Sequence, residues 1–154
     1  MPRVAVPLCL IFVAAILSVA SIAPPELDPG PQVKTAVIDS ADGGCFFFSS
    51  GSTTCTDQQP DVVVEPWCTQ RPGICGNWVE TEHSALDQIT TPPESGYISD
   101  VAGFTDCQEA STNKVLVFKL GDDSFAKGII TADAYTETPQ GCDHKVTLEY
   151  LYPM

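Results

Sequence analysis

The sequence predicts an all-β fold, a disulfide-stapled antiparallel β-sandwich or open barrel, on three observations. Short runs of β-branched and aromatic residues recur between Gly, Pro, Asn and Asp turn signals, with no helical stripe of useful length. The segment 145–152, K-V-T-L-E-Y-L-Y, alternates so that Val146, Leu148, Tyr150 and Tyr152 share one face. Beyond Cys9 the chain carries Cys45, Cys55, Cys68, Cys75, Cys107 and Cys142, an even set that reads as disulfides in an exported protein.

The opening residues stand outside this fold. Arg3 supplies a basic start, 8–17 is an apolar run, and Ser18-Val19-Ala20 is a small-x-small cleavage site. Residues 1–20 therefore read as a signal peptide. The run falls short of the roughly 20 apolar residues that span a bilayer, and no second such segment follows. An uncleaved anchor is the alternative. Cys9 lacks the context of a lipidation site. Residues 21–32, S-I-A-P-P-E-L-D-P-G-P-Q, form a proline-rich linker without periodicity. One all-β domain is expected over 33–154. The mature chain is expected to be secreted, extracellular or at the cell surface, or periplasmic in a bacterium, with no transmembrane segment.

Within that domain, 33–38 is a short strand and 41–44 a turn. The run 45–48 is an aromatic strand, turned by 49–51 so that 52–56 pairs back and sets Cys45 opposite Cys55. The strand 61–65 ends at Pro66, which cannot donate to a ladder. Residues 67–77 read as a loop broken by Pro72, Gly73 and Gly76. A short strand over 78–81 and a helical turn over 84–89 follow, the latter stopped before Pro92-Pro93. An edge strand at 97–101 and a connection over 104–113 lead to the organising hairpin. There V-L-V-F-K-L (115–120) breaks at Gly121-Asp122-Asp123 and returns over 124–131. For the cysteines, nearest-neighbour pairing is expected: Cys45–Cys55, Cys68–Cys75 and Cys107–Cys142. Each would contribute about 2.5–4 kcal/mol in the chain-entropy picture.

The formal net charge is −13, and loss of Arg3 makes it more negative. That argues against nucleic acid and anionic membrane surfaces as partners, since both require Lys/Arg to neutralise phosphate. No zinc knuckle is present, the closest cysteine spacing being Cys68-x₆-Cys75. Asp39, Asp42, Asp57 and Asp61 flank turns without the spacing of a calcium loop. No metal or other cofactor is called for.

The closing stretch F-K-L-G-D-D-S-F-A-K-G-I (118–129), followed by K-V-T-L-E-Y-L-Y (145–152), resembles the HmuY-like haem-binding lipoproteins. It is similar too to related uncharacterised small secreted β-proteins of bacteria and archaea. Those chains end in a hydrophobic strand, a D-G-x-Y-A-K hairpin and a V-T-F-x-Y-x-Y strand. The run D-Q-I-T-T-P-P-E-S-G-Y (87–97) resembles a segment preceding that hairpin in some of them. Asp122-Asp123 replaces the usual Asp-Gly, and Phe125 the usual Tyr. The resemblance implies a secreted β-fold and, as an alternative function, a haem or small-ligand carrier. The family's haem-ligating histidines lie outside the matched stretch, so none is carried over. His83 and His144 are the only histidines here.

Catalytic signals are sparse. G-x-S-x-G does not occur. Glu80, Glu82, His83, Ser84 and Asp87 crowd one segment, which leaves a hydrolase site around His83 as a further alternative. Trp67 and Trp78 bracket a loop that carries Arg71, residue types that dominate recognition hot spots. The leading expectation is a secreted, non-enzymatic binding or structural β-domain. It would present Trp67, Arg71 and Trp78 to an extracellular protein, glycan or small ligand.

Overall fold

The computed structural model describes residues 30–98 and 106–154. The leader expected over 1–20, most of the linker over 21–32 and the far end of the edge strand expected over 97–101 lie outside the described residues.

Among the described residues two antiparallel sheets are built from β1 (Lys34–Asp39), β2 (Cys45–Phe46), β3 (Val62–Glu65), β4 (Gly73–Cys75) and β5 (Trp78–Glu80). The chain continues through β6 (Cys107–Glu109), β7 (Val115–Lys119), β8 (Phe125–Thr138) and β9 (Gly141–Leu151). The larger sheet runs β1-β9-β8-β7-β5 and the smaller β2-β3-β4-β6. No helix among the described residues is long and apolar enough to cross a membrane. The helical turn expected over 84–89 is a single 3-10 turn, Leu86–Gln88.

The main core lies where inward-facing side chains of both sheets meet. Ile38, Val146, Leu148, Ala126, Ile130, Leu116 and Phe118 come from the larger sheet, and Phe46, Val62, Val64 and Ile74 from the smaller. Phe46, Phe48 and Tyr150 meet edge to face with centroids 5.0–5.6 Å apart, the geometry that ring quadrupoles favour. The reverse face of β7 and β8 is also covered: Val115, Val117 and Ile129 pack under Leu86 and Ile89. With both faces dry, β7 reads as an unbroken apolar run rather than an alternating one. Lys127 belongs to that covered face, and its ammonium donates to the Ile89 carbonyl, tying the 81–98 segment down.

Several local expectations change. β4 arises in the stretch read as loop, pairing with β3 and β6. Gly73 is required there because the Trp67 indole lies over it; a Cβ would stand 2.5 Å from the ring. β6 replaces the expected connection. The strand expected over 52–56 reduces to one bridge, Phe47 with Ser52. β8 and β9 run on to Thr138 and back from Gly141, past a register irregularity between Ile130 and Ala132.

The cysteine pairing is corrected in two of three bonds. Cys45–Cys55 forms as expected. Cys68 bonds Cys142, and Cys75 bonds Cys107, instead of Cys68–Cys75 and Cys107–Cys142. The reason is register: β4 sets Cys75 directly opposite Cys107 on β6. Cys68 then leaves the small sheet toward β9, where Cys142 receives it.

Asp61 does the work of a missing strand residue. Its Oδ2 accepts the Phe48 N–H at 2.8 Å, and its own N–H donates to the Phe46 carbonyl at 2.9 Å. Burial pushes its carboxyl above the usual carboxylate value, against the lowering by that Phe48 hydrogen bond. A raised native value means that the folded state holds this proton more tightly. The associated stability is complete below the ordinary carboxylate range and declines as pH rises through the raised value. Asp61→Asn keeps an acceptor without the charge, so its stability relative to the unmodified chain should improve from pH 3 to pH 7. Urea unfolding across that range checks the sign; a relative loss toward neutral pH would contradict it.

Candidate functional site

The three residues expected to form a recognition loop are separated. Trp78 is 2% exposed and its indole N–H donates to the Ile74 carbonyl at 3.1 Å, a core position. Trp67 is half-buried over Gly73, and only Arg71 is fully on the surface. They make no shared aromatic patch, because β4 turns the intervening chain into sheet.

The histidines are equally far from acting together. His83 is exposed, and its ring makes no hydrogen bond among the described residues. Its acidic neighbours are otherwise engaged: Glu80 accepts the Ser111 N–H at 2.8 Å and Glu82 pairs with Lys114 at 3.3 Å. His144 is completely buried. Its Nδ1 lies 2.8 Å from Asp133 Oδ2 and its Nε2 2.8 Å from the Trp67 carbonyl, while its backbone N–H donates to Ser40 Oγ. A carboxylate and a carbonyl face the two ring nitrogens, each within hydrogen-bond distance. Both nitrogens are thus committed, leaving neither for an axial ligand or a general base. The pair instead fastens the extended half of the β8–β9 hairpin to the Trp67 segment, beside Cys68–Cys142.

Glu65, Cys75 and Cys107 bring three ligand-type atoms within 4.8 Å of one another. The two sulfurs are bonded to each other, which removes the thiolates that a metal would need.

A different constellation emerges where three segments converge. Asn77, between β4 and β5, is drawn to the end of β7 by the Lys119 N–H, which donates to its carbonyl at 2.8 Å. Residues 91–98 run alongside β5, with the Ile98 N–H on the Trp78 carbonyl at 2.9 Å. Phe125 opens β8 opposite Lys119. Between them lies a cleft of about 450 Å³, walled by Asn77, Pro92, Glu94, Tyr97, Lys119 and Phe125 among others. The Tyr97 and Phe125 rings stand 6.2 Å apart at 48°. Burial raises the Tyr97 phenol above its ordinary value, so it stays neutral and able to donate. Lys119 pairs with the exposed Asp123 at 3.4 Å. Among the described residues, Asn77 Oδ1 and Tyr97 OH are the buried side-chain oxygens with no hydrogen-bond partner.

None of this cleft was singled out from the sequence. Its residues are spread from 77 to 125 across turns and strand ends, and no motif spacing links them. The 91–97 loop registered only as turn chemistry and resemblance. No protein-family model matches the chain, and no curated protein matches it.

Proposed function

We propose that this is a secreted, non-enzymatic binding domain whose stapled β-sandwich offers the cleft between residues 91–97 and the β7–β8 turn to a ligand. One observation carries the reading. Asn77 and Tyr97, which carry the two unpartnered buried side-chain oxygens of the described residues, both line one concavity. Native folds pair nearly all such atoms, since an unmet one costs about 1–3 kcal/mol. Concave, partly aromatic clefts with a few unmet polar groups are where small ligands bind. The acidic exterior, disulfides and leader-like start are consistent with an exported role.

Amide NMR of the oxidised protein, titrated separately with methyl glucoside, acetate and spermidine, tests this. At least one probe should shift Asn77, Gly96, Tyr97, Lys119 and Phe125 together. Shifts from all three probes that avoid these residues would overturn the assignment of the cleft.

A further inference from the structure

We infer that the free edge of β1 pairs with the β1 edge of a second copy, joining two five-stranded sheets into one across a two-fold axis. β1 closes the larger sheet: β9 fills one side of it, and among the described residues no strand pairs with the other. An unpaired edge of this kind is a template for strand addition. Val33, Thr35 and Val37 alternate with the buried Ala36 and Ile38, so they share the outward face. Val33 and Val37 are also the exposed large hydrophobic residues among those described, at 54% and 47%. Antiparallel self-pairing about Thr35 sets Val33 of each copy opposite Val37 of the other, with Thr35 opposite Thr35, and these are favourable cross-strand pairs. Lys34 then faces Ala36, so no like charges stand opposite. The neighbouring registers are worse. Centring on Lys34 brings two ammonium groups together, and centring on Ala36 sets Val33 against Asp39. Centring on Val37 carries Val33 past the strand end. In the register about Thr35, Pro31, which cannot donate to a ladder, falls opposite Asp39, where β1 stops. Val37, Asp39, Thr53 and Thr54 also line a concavity of about 380 Å³, which leaves room beside this edge for the incoming chain.

A ladder of about seven residues is a small interface, and two chains of formal net charge −13 repel each other. The dimer should therefore be weak, with a Kd on the order of 0.1–1 mM, and should tighten as salt screens the repulsion. Sedimentation equilibrium and diffusion NMR of the oxidised protein, from about 0.05 to about 1 mM, test this. Association should appear over that range, more strongly at about 0.3 M than at about 0.02 M NaCl, and the resonances of 33–38 should shift together. In a sample mixing two isotope labels, contacts between copies should join the Val33 methyls of one to the Val37 methyls of the other. Val37→Lys and Val33→Lys should each weaken the dimer about tenfold or more, as lysine does on natural sheet edges. Both positions are exposed, so unchanged urea midpoints separate lost pairing from lost folding. Ala134→Lys lies on the stretch of β8 beyond its pairing with β7 and should leave the dimer intact. A protein still monomeric at about 1 mM, or a dimer untouched by both valine variants, overturns the inference. So does a dimer broken by Ala134→Lys instead, or one whose contacts between copies join Val37 to Val37. If the monomer binds acetyl-Thr-Val-Thr-Val-Thr-amide through Val33 and Val37 without self-association, the edge takes a foreign strand and self-pairing is overturned.

Discussion

Replacing Cys68 and Cys142 together by serine is expected to cost more stability than opening either other disulfide. The chain-entropy relation depends on the loop closed, and this bond joins positions 74 apart, against 32 for Cys75–Cys107 and 10 for Cys45–Cys55. Because Cys75–Cys107 is nested inside the larger loop, the effective closure is shorter, and the expected loss is about 4 kcal/mol. The same relation gives about 3 kcal/mol for the double serine variant of Cys45 and Cys55. A typical domain has about 5–15 kcal/mol in total, so the first variant should be marginal at 37 °C. Denaturant unfolding of the two variants, compared by midpoint at matched slope, checks the order. A larger loss for Cys45–Cys55, or a loss below about 1 kcal/mol for Cys68–Cys142, would contradict it.

The second large effect concerns His144 and Asp133. The His144 side chain is entirely buried and that of Asp133 is 6% exposed, so each is the other's compensation for leaving water. Removing one partner of a buried, hydrogen-bonded pair costs about 3–5 kcal/mol, because the survivor's polar group is left buried and unsatisfied. His144→Leu strands the Asp133 carboxylate and the Trp67 carbonyl together; Asp133→Leu leaves the Nδ1 donor without an acceptor. The double Leu variant removes both costs and should lose less than the sum of the single losses by about 2 kcal/mol or more. A double-mutant cycle by urea unfolding measures this coupling. Additivity within about 0.5 kcal/mol would mean that the two residues act independently and that the hairpin is held by other means.

Both predictions concern the same joint, where the far half of β8–β9 meets the Trp67 segment. The cleft proposed for ligand binding lies elsewhere, at the β7–β8 turn, so opening the joint and altering the cleft should be separable. The side chains that fasten the joint are also unavailable for chemistry. His144 has no free nitrogen, and His83 stands exposed with no hydroxyl or carboxylate hydrogen-bonded to its ring among the described residues.

Legibility in the sequence followed local pattern. The β7–β8 hairpin was readable because its turn residues do local work: Asp123 takes a positive φ of 62° and Asp122 accepts the Ser124 N–H. Asp122 is accordingly held below its ordinary carboxylate value by the Ser124 hydroxyl and amide. β4 was hidden, since Gly73-Ile74-Cys75 is three residues long between Pro72 and Gly76, a breaker pattern until Trp67 is known to lie over Gly73. The far half of β8, T-A-D-A-Y-T-E-T, shows little alternating hydrophobicity. Cross-strand pairing and the Asp133–His144 contact hold it, not an apolar face.

By itself, the chain's pattern of apolar and turn residues determined an all-β architecture and the organising hairpin, and it made Cys45–Cys55 the expected local pair, because each rests on residues within about ten positions of one another. Tertiary structure alone decided that Cys68 meets Cys142, that Trp78 and His144 are interior, and that Asn77, Tyr97 and Phe125 share a cleft. Alternation encodes which face of a strand is dry. Which strands become neighbours, and in what register, is settled only when two sheets close over a common core, and contacts between remote residues follow from that closure.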